Sequence, residues 1–171
     1  MKNITKILFV CHGNICRSPM AEFLLKQALV RLHLQDGFEI ASAAVSDEEI
    51  GNGVYPPVKK LLHELGINCA KKKARRIGYD DFKYYDLIVL MDKMNLRLLK
   101  DLYPSYPRDK VKLMMEFTGV IADVDDPWYT RDFKRTGREL TEAIAAMLKD
   151  LLPDLNDMDI DKACTFEIFS S

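Results

Sequence analysis

Short apolar runs alternate along the chain with longer segments in which apolar residues recur at helical spacing. The apolar runs lie at 6–10, 38–41, 86–91 and 111–114. The helix-like segments begin at Pro19 and then cover 56–65, 92–100 and 131–152. Each connection is long enough for the crossover that parallel strands require. We therefore predict an α/β fold with a doubly wound, four-stranded, mainly parallel sheet and helices on both faces.

The composition changes after Pro153, where four aspartates interrupt the helix-forming pattern at positions 154, 157, 159 and 161. A chain of 171 residues is long enough for one domain with a substantial core. We expect a single catalytic domain over 1–152. Residues 153–171 are expected to be a C-terminal appendage, whose structure the sequence leaves open.

Charge and hydropathy narrow the choice of partners and compartment. The chain has 25 basic and 26 acidic residues, so no strong overall field attracts it to nucleic acid or to a membrane surface. The apolar run that ends at Val10 is too short for a signal peptide or a membrane span. We expect a cytoplasmic protein without nucleic-acid or membrane partners. Its oligomeric state is left open.

Residues 11–18 read Cys-His-Gly-Asn-Ile-Cys-Arg-Ser and lie between the first predicted strand and the first predicted helix. Backbone N–H groups at a helix N-terminus point outward together, and the helix dipole adds positive potential there. Such a loop can hold a phosphate dianion. The residues expected around the phosphate are His12, Gly13, Asn14, Ile15, Cys16 and Ser18.

Cys11 and Arg17 are the chemically informative pair in this loop. Positive potential and hydrogen-bond donors favour the thiolate form of a cysteine, which is the nucleophilic form. Arg17 has a planar guanidinium that suits two phosphate oxygens. Ser18 is placed to donate a hydrogen bond to the sulfur. Cys16 is five residues from Cys11, and either a reversible protective disulfide or simple burial would explain it.

Residues 10–22, Val-Cys-His-Gly-Asn-Ile-Cys-Arg-Ser-Pro-Met-Ala-Glu, closely resemble the signature of low-molecular-weight protein tyrosine phosphatases. The resemblance covers about residues 5–152. It implies hydrolysis of phosphotyrosine in protein substrates, and of small aryl phosphates, through a cysteinyl-phosphate intermediate. That chemistry needs neither metal nor cofactor.

A general acid is needed to protonate the leaving oxygen, which is typically worth 10²- to 10⁴-fold in rate. Asp123, Asp125 and Asp126 are the candidates, and composition alone would make them a solvated acidic loop. The segment 126–129, Asp-Pro-Trp-Tyr, resembles the acid loop of the family. This resemblance selects Asp126 as the acid, with Asp125 as the alternative.

Other positions gain roles from the same resemblance. Trp128 and Tyr129 would form an aromatic wall for the substrate. Ser42 and Asp92 match residues that support the phosphate loop. The chain departs from the family pattern at Lys72, where the family often has histidine, and near Glu48, where the family usually has a substrate-wall residue that is often aromatic. An acid at this place would shift peptide preference toward basic flanking residues.

Three other functions remain as alternatives. Thioredoxin-coupled arsenate reductases share the loop, but they need two further cysteines spaced a few residues apart, whereas Cys69 is alone in its segment. Phosphoarginine phosphatases tend to carry threonine at the position of Ile15. A phosphate-binding module without turnover would be expected to lack the nucleophile or the acid.

Overall fold

The computed structural model describes residues 4–170 and has a four-stranded sheet at its centre. The strands are β1 (Thr5–Cys11), β2 (Phe38–Ala44), β3 (Leu87–Leu90) and β4 (Val111–Leu113). They are all parallel, in the order β2-β1-β3-β4. The predicted α/β fold class is therefore confirmed. The register pairs Cys11 with Ala44, so the ends of β1 and β2 lie side by side at the carboxyl edge of the sheet.

In the described part of the chain, seven α-helices connect and cover these strands. They are α1 (Arg17–Arg31), α2 (Pro56–Glu64), α3 (Tyr79–Tyr84), α4 (Lys93–Leu102), α5 (Pro127–Thr130), α6 (Phe133–Leu151) and α7 (Asp157–Ala163). Short 3₁₀ helices lie at Gln35–Gly37, Met114–Thr118 and Glu167–Phe169. The helix after β1 ends where His33 adopts a left-handed backbone with φ 58°.

The sequence pattern located the long elements and missed some of their ends. β2 continues to Ala44, three residues beyond the predicted apolar run, because its small residues pair with β1 along the whole strand. Helices α3 and α5 were not predicted, since six and four residues are too short to show a helical period.

Alternation along β1 divides the core between the two faces of the sheet. Ile7 and Phe9 point to one face, where α1 and α6 pack, while Leu8 and Val10 point to the other. All four side chains are fully buried. The central strand of a parallel sheet has helices on both faces and therefore reads as a continuous apolar run.

Residues 153–170 pack against the same core as α1 and α6. Ile160 on α7, together with Phe166 and Phe169 beyond it, is buried in the cluster that includes Phe9. The sequence left the structure of this segment open, and the domain boundary at residue 152 stays a prediction.

A search of the described helices for one that is both long and apolar enough to cross a bilayer finds none.

Candidate active site

The phosphate loop, residues 11–18, connects the end of β1 to the start of α1 at the carboxyl edge of the sheet. This is where open α/β sheets form ligand clefts. Asn14 has a left-handed backbone with φ 59°, which lets the chain turn sharply inside the loop. The Asn14 N–H donates to Cys11 Sγ at 3.3 Å. The nucleophile predicted from the sequence therefore lies inside the turn of the loop.

The side chain of Asn14 is the centre of a buried hydrogen-bond network. Its Nδ2 donates to Ser18 Oγ at 2.8 Å and to Ser42 Oγ at 2.9 Å. Its Oδ1 accepts from the backbone N–H of Arg75 at 3.2 Å. Ser42 in turn donates to Glu22 Oε1 at 2.6 Å. These bonds hold the loop against β2 and against the segment that precedes α3.

Ser18 is hydrogen-bonded to the sulfur of Cys11, with 2.9 Å between Oγ and Sγ. Because Ser18 Oγ already accepts from Asn14, its own proton is free to be donated. The sulfur is closer than the other acceptor within reach, the Ala43 carbonyl at 3.4 Å. Ser18 is thus oriented to stabilise negative charge on Cys11.

Lys72 also contacts this hydrogen-bond network. Its Nζ donates to the Ser42 carbonyl at 2.8 Å and lies 3.7 Å from Glu22 Oε1. Burial lowers the pKa of Lys72 below its ordinary value, although the Glu22 carboxylate opposes this effect. Lys72, which stands where the family often has histidine, therefore contacts Ser42 and Glu22, the residues that support the phosphate loop. Its neighbour Lys71 is exposed.

Arg17 is buried between the phosphate loop and two later segments. Its Nη1 donates to Asp92 Oδ2 at 2.6 Å and to the Val124 carbonyl at 2.8 Å. Burial acts to lower the pKa of Arg17, but charge on Cys11, Asp92 and Asp126 outweighs it and raises the pKa. The guanidinium therefore stays charged and is held in one orientation.

The three candidate acids occupy different surroundings. Asp126 Oδ2 lies 3.5 Å from Arg17 Nη2, and its Oδ1 accepts from the Trp128 N–H at 3.0 Å. Asp125 forms an ion pair with Arg135 at 2.8 Å. Asp123 caps α4 by accepting from the Lys93 N–H. Only Asp126 among the three lines the cavity above Cys11.

That cavity has a volume of about 420 Å³ and gathers residues from three parts of the chain. Its lining residues are Cys11, His12, Gly13, Ile15, Cys16, Arg17, Glu48, Glu49, Asp126, Trp128 and Tyr129. Of the predicted substrate-contacting residues, Asn14 and Ser18 lie outside this lining and support the loop from behind. A larger hollow of about 940 Å³ lies between the C-terminal segment and the ends of α1 and α2, and no predicted site residue lines it.

The cavity lining includes an aromatic wall, Trp128 and Tyr129, and an acidic rim, Glu48 and Glu49. Trp128 packs on Tyr55 with 4.9 Å between ring centroids. On the rim, His12 Nε2 lies 3.0 Å from Glu48 Oε2. A Cβ at Gly13 would lie 3.2 Å from Cγ of Glu49, so glycine leaves room for that side chain.

Cys16 is buried at the start of α1, and its thiol is free. Burial, together with Cys11 and Asp126, raises the pKa of Cys16. This thiol therefore stays protonated at neutral pH. The structure shows the burial, and the protective disulfide with Cys11 stays a prediction.

Sequence reasoning missed several residues that shape the site. Tyr55 and Glu22 are the most important, since one supports the aromatic wall and the other accepts the hydrogen bond from Ser42. Glu22 carried a signal: it is four residues after Ser18 and therefore on the same face of α1. Tyr55 carried none, because its partner Trp128 is distant in the sequence.

Comparison with known proteins agrees with this geometry. The family described as low molecular weight phosphotyrosine protein phosphatase matches residues 6–157. A protein of that name from Schizosaccharomyces pombe is 40% identical over 131 residues, which are 75% of this chain and 83% of that protein.

Solved structures give the same result for the fold. The crystal structure of YfkJ from Bacillus subtilis has a TM-score of 0.83 at 27% identity, covering 90% of this chain and 98% of that one. An arginine phosphatase from Drosophila has a TM-score of 0.79 at 29% identity, covering 88% of this chain and 100% of that one. The chain belongs to the low-molecular-weight phosphotyrosine protein phosphatases and is a hydrolase, a protein tyrosine phosphatase.

Proposed function

We propose that Cys11, Arg17 and Asp126 carry out phosphotyrosine hydrolysis in two steps at the cavity above the phosphate loop. One observation supports this most: a cysteine, an arginine and an acid from two distant segments meet at one cavity of about 420 Å³. The cavity combines a nucleophile, a fixed positive charge and a proton donor, which are the groups that this reaction needs.

In the first step, the Cys11 thiolate attacks phosphorus while the bond to the tyrosine oxygen breaks. Backbone N–H groups of the loop and the Arg17 guanidinium stabilise the phosphoryl oxygens. Protonated Asp126 transfers its proton to the leaving oxygen. Tyrosine leaves, and the phosphoryl group stays on the sulfur.

In the second step, water replaces the sulfur at phosphorus. The Asp126 carboxylate, now ionised, accepts a proton from the attacking water. The sulfur leaves as a thiolate that is stabilised by the hydrogen bond from Ser18. Inorganic phosphate is released, and the enzyme returns to its starting state.

Two features of the cavity bear on the substrate. Trp128 and Tyr129 offer an aromatic wall to a phenyl ring, which favours phosphotyrosine over the shorter phosphoserine. The acidic rim at Glu48 and Glu49 favours basic residues beside the phosphotyrosine. Cytoplasmic location is part of the proposal, because a reducing compartment keeps the Cys11 thiol available.

Phosphoarginine hydrolysis is the second candidate, since one structural neighbour is an arginine phosphatase. The residue that bears on this choice is Ile15, which lines the cavity with an apolar side chain. An apolar group beside the leaving group suits a phenyl ring better than a guanidinium, whose N–H groups need acceptors. Phosphotyrosine is therefore the preferred substrate class.

Turnover of para-nitrophenyl phosphate without metal tests the mechanism, using wild type and Cys11→Ser. We expect wild type to be active, and Cys11→Ser to be inactive while retaining a phosphotyrosine peptide on a column. Cys69→Ser is the matched control and should stay active. Metal-independent turnover by Cys11→Ser would overturn the mechanism. Faster hydrolysis of phosphoarginine than phosphotyrosine peptides would overturn the substrate class.

A further inference from the structure

Phe169, near the C-terminus, packs directly on the backbone of α6. A Cβ built on Gly137 of that helix would lie 2.4 Å from Cε1 of Phe169 and 2.6 Å from two further ring atoms. The ring therefore occupies a notch that exists only because position 137 is glycine. Phe169 lies beyond residue 157, where the match to the family ends.

Polar contacts fix the segment that carries this ring. Arg138 Nη1 donates to the Phe169 carbonyl at 3.0 Å. Arg31 of α1 donates to the carbonyls of Ala163 at 3.1 Å and Thr165 at 2.7 Å. The Arg31 guanidinium also lies 4.2 Å from the ring centroid of Phe166. The C-terminal segment is thus attached at several points, and Phe169 is the last buried side chain among residues 4–170.

The notch at Gly137 is close to the wall of the active site. Phe133 precedes Gly137 by one helical turn, so the two residues lie on the same side of α6. The Phe133 ring stacks on Tyr55 with 6.0 Å between centroids. The Tyr55 ring contacts the ring of Trp128, and the backbone N–H of Trp128 donates to Asp126 Oδ1.

Arg131 adds a second connection between α6 and the aromatic wall. Its Nη1 donates to the Tyr55 hydroxyl at 3.0 Å, and its guanidinium lies 5.2 Å from the Phe133 ring centroid. Packed side chains therefore connect the start of α6 to Trp128, and the Trp128 backbone N–H completes the connection to Asp126. Such contiguous contacts can transmit a displacement of the helix to the acid.

We propose that Phe169, seated on Gly137, is a positioning residue for Asp126. The ring holds the first turns of α6, and α6 holds the aromatic wall that sets where the carboxyl lies over Cys11. This rests on the proposed role of Asp126 as general acid. A shift of about 1 Å in a catalytic group can cost as much as 10²-fold in rate, so a small release of the helix is enough.

Two substitutions remove the contact in different ways. Phe169→Ala deletes the ring and leaves α6 unchanged. Gly137→Ala keeps every side chain of the C-terminal segment but places a methyl group where the Phe169 ring lies. Alanine in a helix interior is favoured over glycine by about 0.5–1 kcal/mol, so Gly137→Ala displaces Phe169 without weakening α6 itself. Phe169→Leu keeps an apolar side chain and should be nearly wild type.

The measurement is kcat/KM for aryl phosphates whose phenols differ in acidity, because kcat/KM reports the first step alone and not the attack of water on the cysteinyl phosphate. A weakly acidic phenol needs protonation to leave, whereas a strongly acidic nitrophenol departs with little help. We expect kcat/KM for phenyl phosphate and a phosphotyrosine peptide to fall about tenfold in Phe169→Ala and Gly137→Ala. For a dinitrophenyl phosphate, kcat/KM should change less than about twofold.

Lys149→Gln is the control for loss of C-terminal contacts in general. Lys149 pairs with Asp161 at 2.8 Å near the other end of α6, far from the notch in sequence. We expect this variant to keep the wild-type dependence on the leaving group. Circular dichroism verifies that each variant is folded, and if Gly137→Ala is not, Phe169→Ala alone decides.

Asp126→Ala separates failure of this inference from failure of the proposed function. If Asp126→Ala lowers kcat/KM equally for all phenols, the acid assignment itself is wrong. If Asp126→Ala shows the leaving-group dependence in kcat/KM while Phe169→Ala lowers kcat/KM equally for all phenols or not at all, the acid assignment stands. The positioning role of Phe169 is then overturned.

Discussion

The phosphate loop and the acid-bearing segment 119–131 face each other across one cavity but are built in opposite ways. In the loop, Cys11, Asn14 and Arg17 are only 3%, 1% and 2% exposed. In the acid-bearing segment, Trp128 is 47% and Tyr129 is 82% exposed. The loop is held by buried hydrogen bonds, whereas the acid segment depends on aromatic packing and a few surface contacts.

This difference shows that the phosphate loop and the acid-bearing segment are stabilised by separate sets of contacts. The phosphate loop is held in place in the free protein, because the hydrogen bonds around Asn14 are already made. In the proposed mechanism, Asp126 is held by Trp128, which packs on Tyr55 just before α2, and Tyr55 in turn packs on Phe133 of α6. Substitutions near the loop should therefore affect stability and activity together, and substitutions near the acid should affect activity alone.

Replacing Asp126 should give the largest fall in kcat and the clearest separation of activity from stability. We expect Asp126→Ala to lower kcat for a phosphotyrosine peptide by about 10²-fold or more, because the leaving oxygen is no longer protonated. Asp125→Ala removes an exposed ion pair with Arg135 and should change kcat less than about threefold. Both variants should unfold close to the wild-type temperature. The opposite order of kcat values would refute the assignment.

Asn14→Ala tests the loop side of the comparison. Alanine disfavours the left-handed backbone that position 14 adopts at φ 59°. The substitution also leaves the Arg75 N–H without its acceptor and removes the hydrogen bonds that Asn14 donates to Ser18 and Ser42. We expect the free energy of unfolding to fall by about 3 kcal/mol, measured by urea denaturation. We expect kcat/KM to fall about tenfold, because the loop loses its fixed geometry.

Asn14→Gly is the matched variant, since glycine accepts the backbone angle but cannot restore the network. It should recover about 1 kcal/mol of the loss and little of the activity. Wild-type stability in both variants would show that the loop is not held by Asn14.

Alkaline pH should destabilise the loop through Cys16. Burial raises the pKa of this thiol above the ordinary 9.0, so the folded state retains a proton that the unfolded chain releases. Its contribution to stability is therefore complete below pH 9 and is lost as pH rises above 9. Compared with Cys16→Ala, wild type should lose at most about 1.4 kcal/mol more per pH unit. Parallel stability curves above pH 9 would contradict this.

Charge reversal on the rim should give the smallest effect. In Glu48→Lys, the preference for basic over acidic flanking residues, measured as a ratio of kcat/KM values, should fall about two- to fivefold, because exposed ion pairs are weak. The change should diminish at high salt. Asp154→Lys, an exposed control on the C-terminal segment, should leave the ratio unchanged. An unchanged ratio in Glu48→Lys would show that the acidic rim does not set the preference for flanking residues.

Several features could be predicted because they depend on residues close together in the chain. The alternation of apolar runs and helical spacing indicated the four strands and the long helices, since both periods come from local backbone geometry. The phosphate loop could be predicted in the same way, because its residues are contiguous. The strand before it and the helix after it determine where it lies.

Contacts between distant segments could not be read in this way. Asp126 was chosen over Asp125 by resemblance, and its placement next to Arg17 appears only in the fold. The support that Lys72 and Glu22 give to Ser42, and the packing of Tyr55 on Trp128, have no local pattern.

The C-terminal segment shows the same limit most clearly. Its aspartate-rich sequence indicated only a change in composition, yet Phe169 occupies a notch at Gly137, 32 positions earlier in the printed sequence. Nothing in the sequence around Gly137 or around Phe169 indicates that these two residues are in contact. The sequence by itself determined the strands and the loop that contains Cys11, because each follows from short-range geometry. The tertiary structure decided which acid, which lysine and which aromatic rings meet them, because packing joins residues that the chain keeps apart.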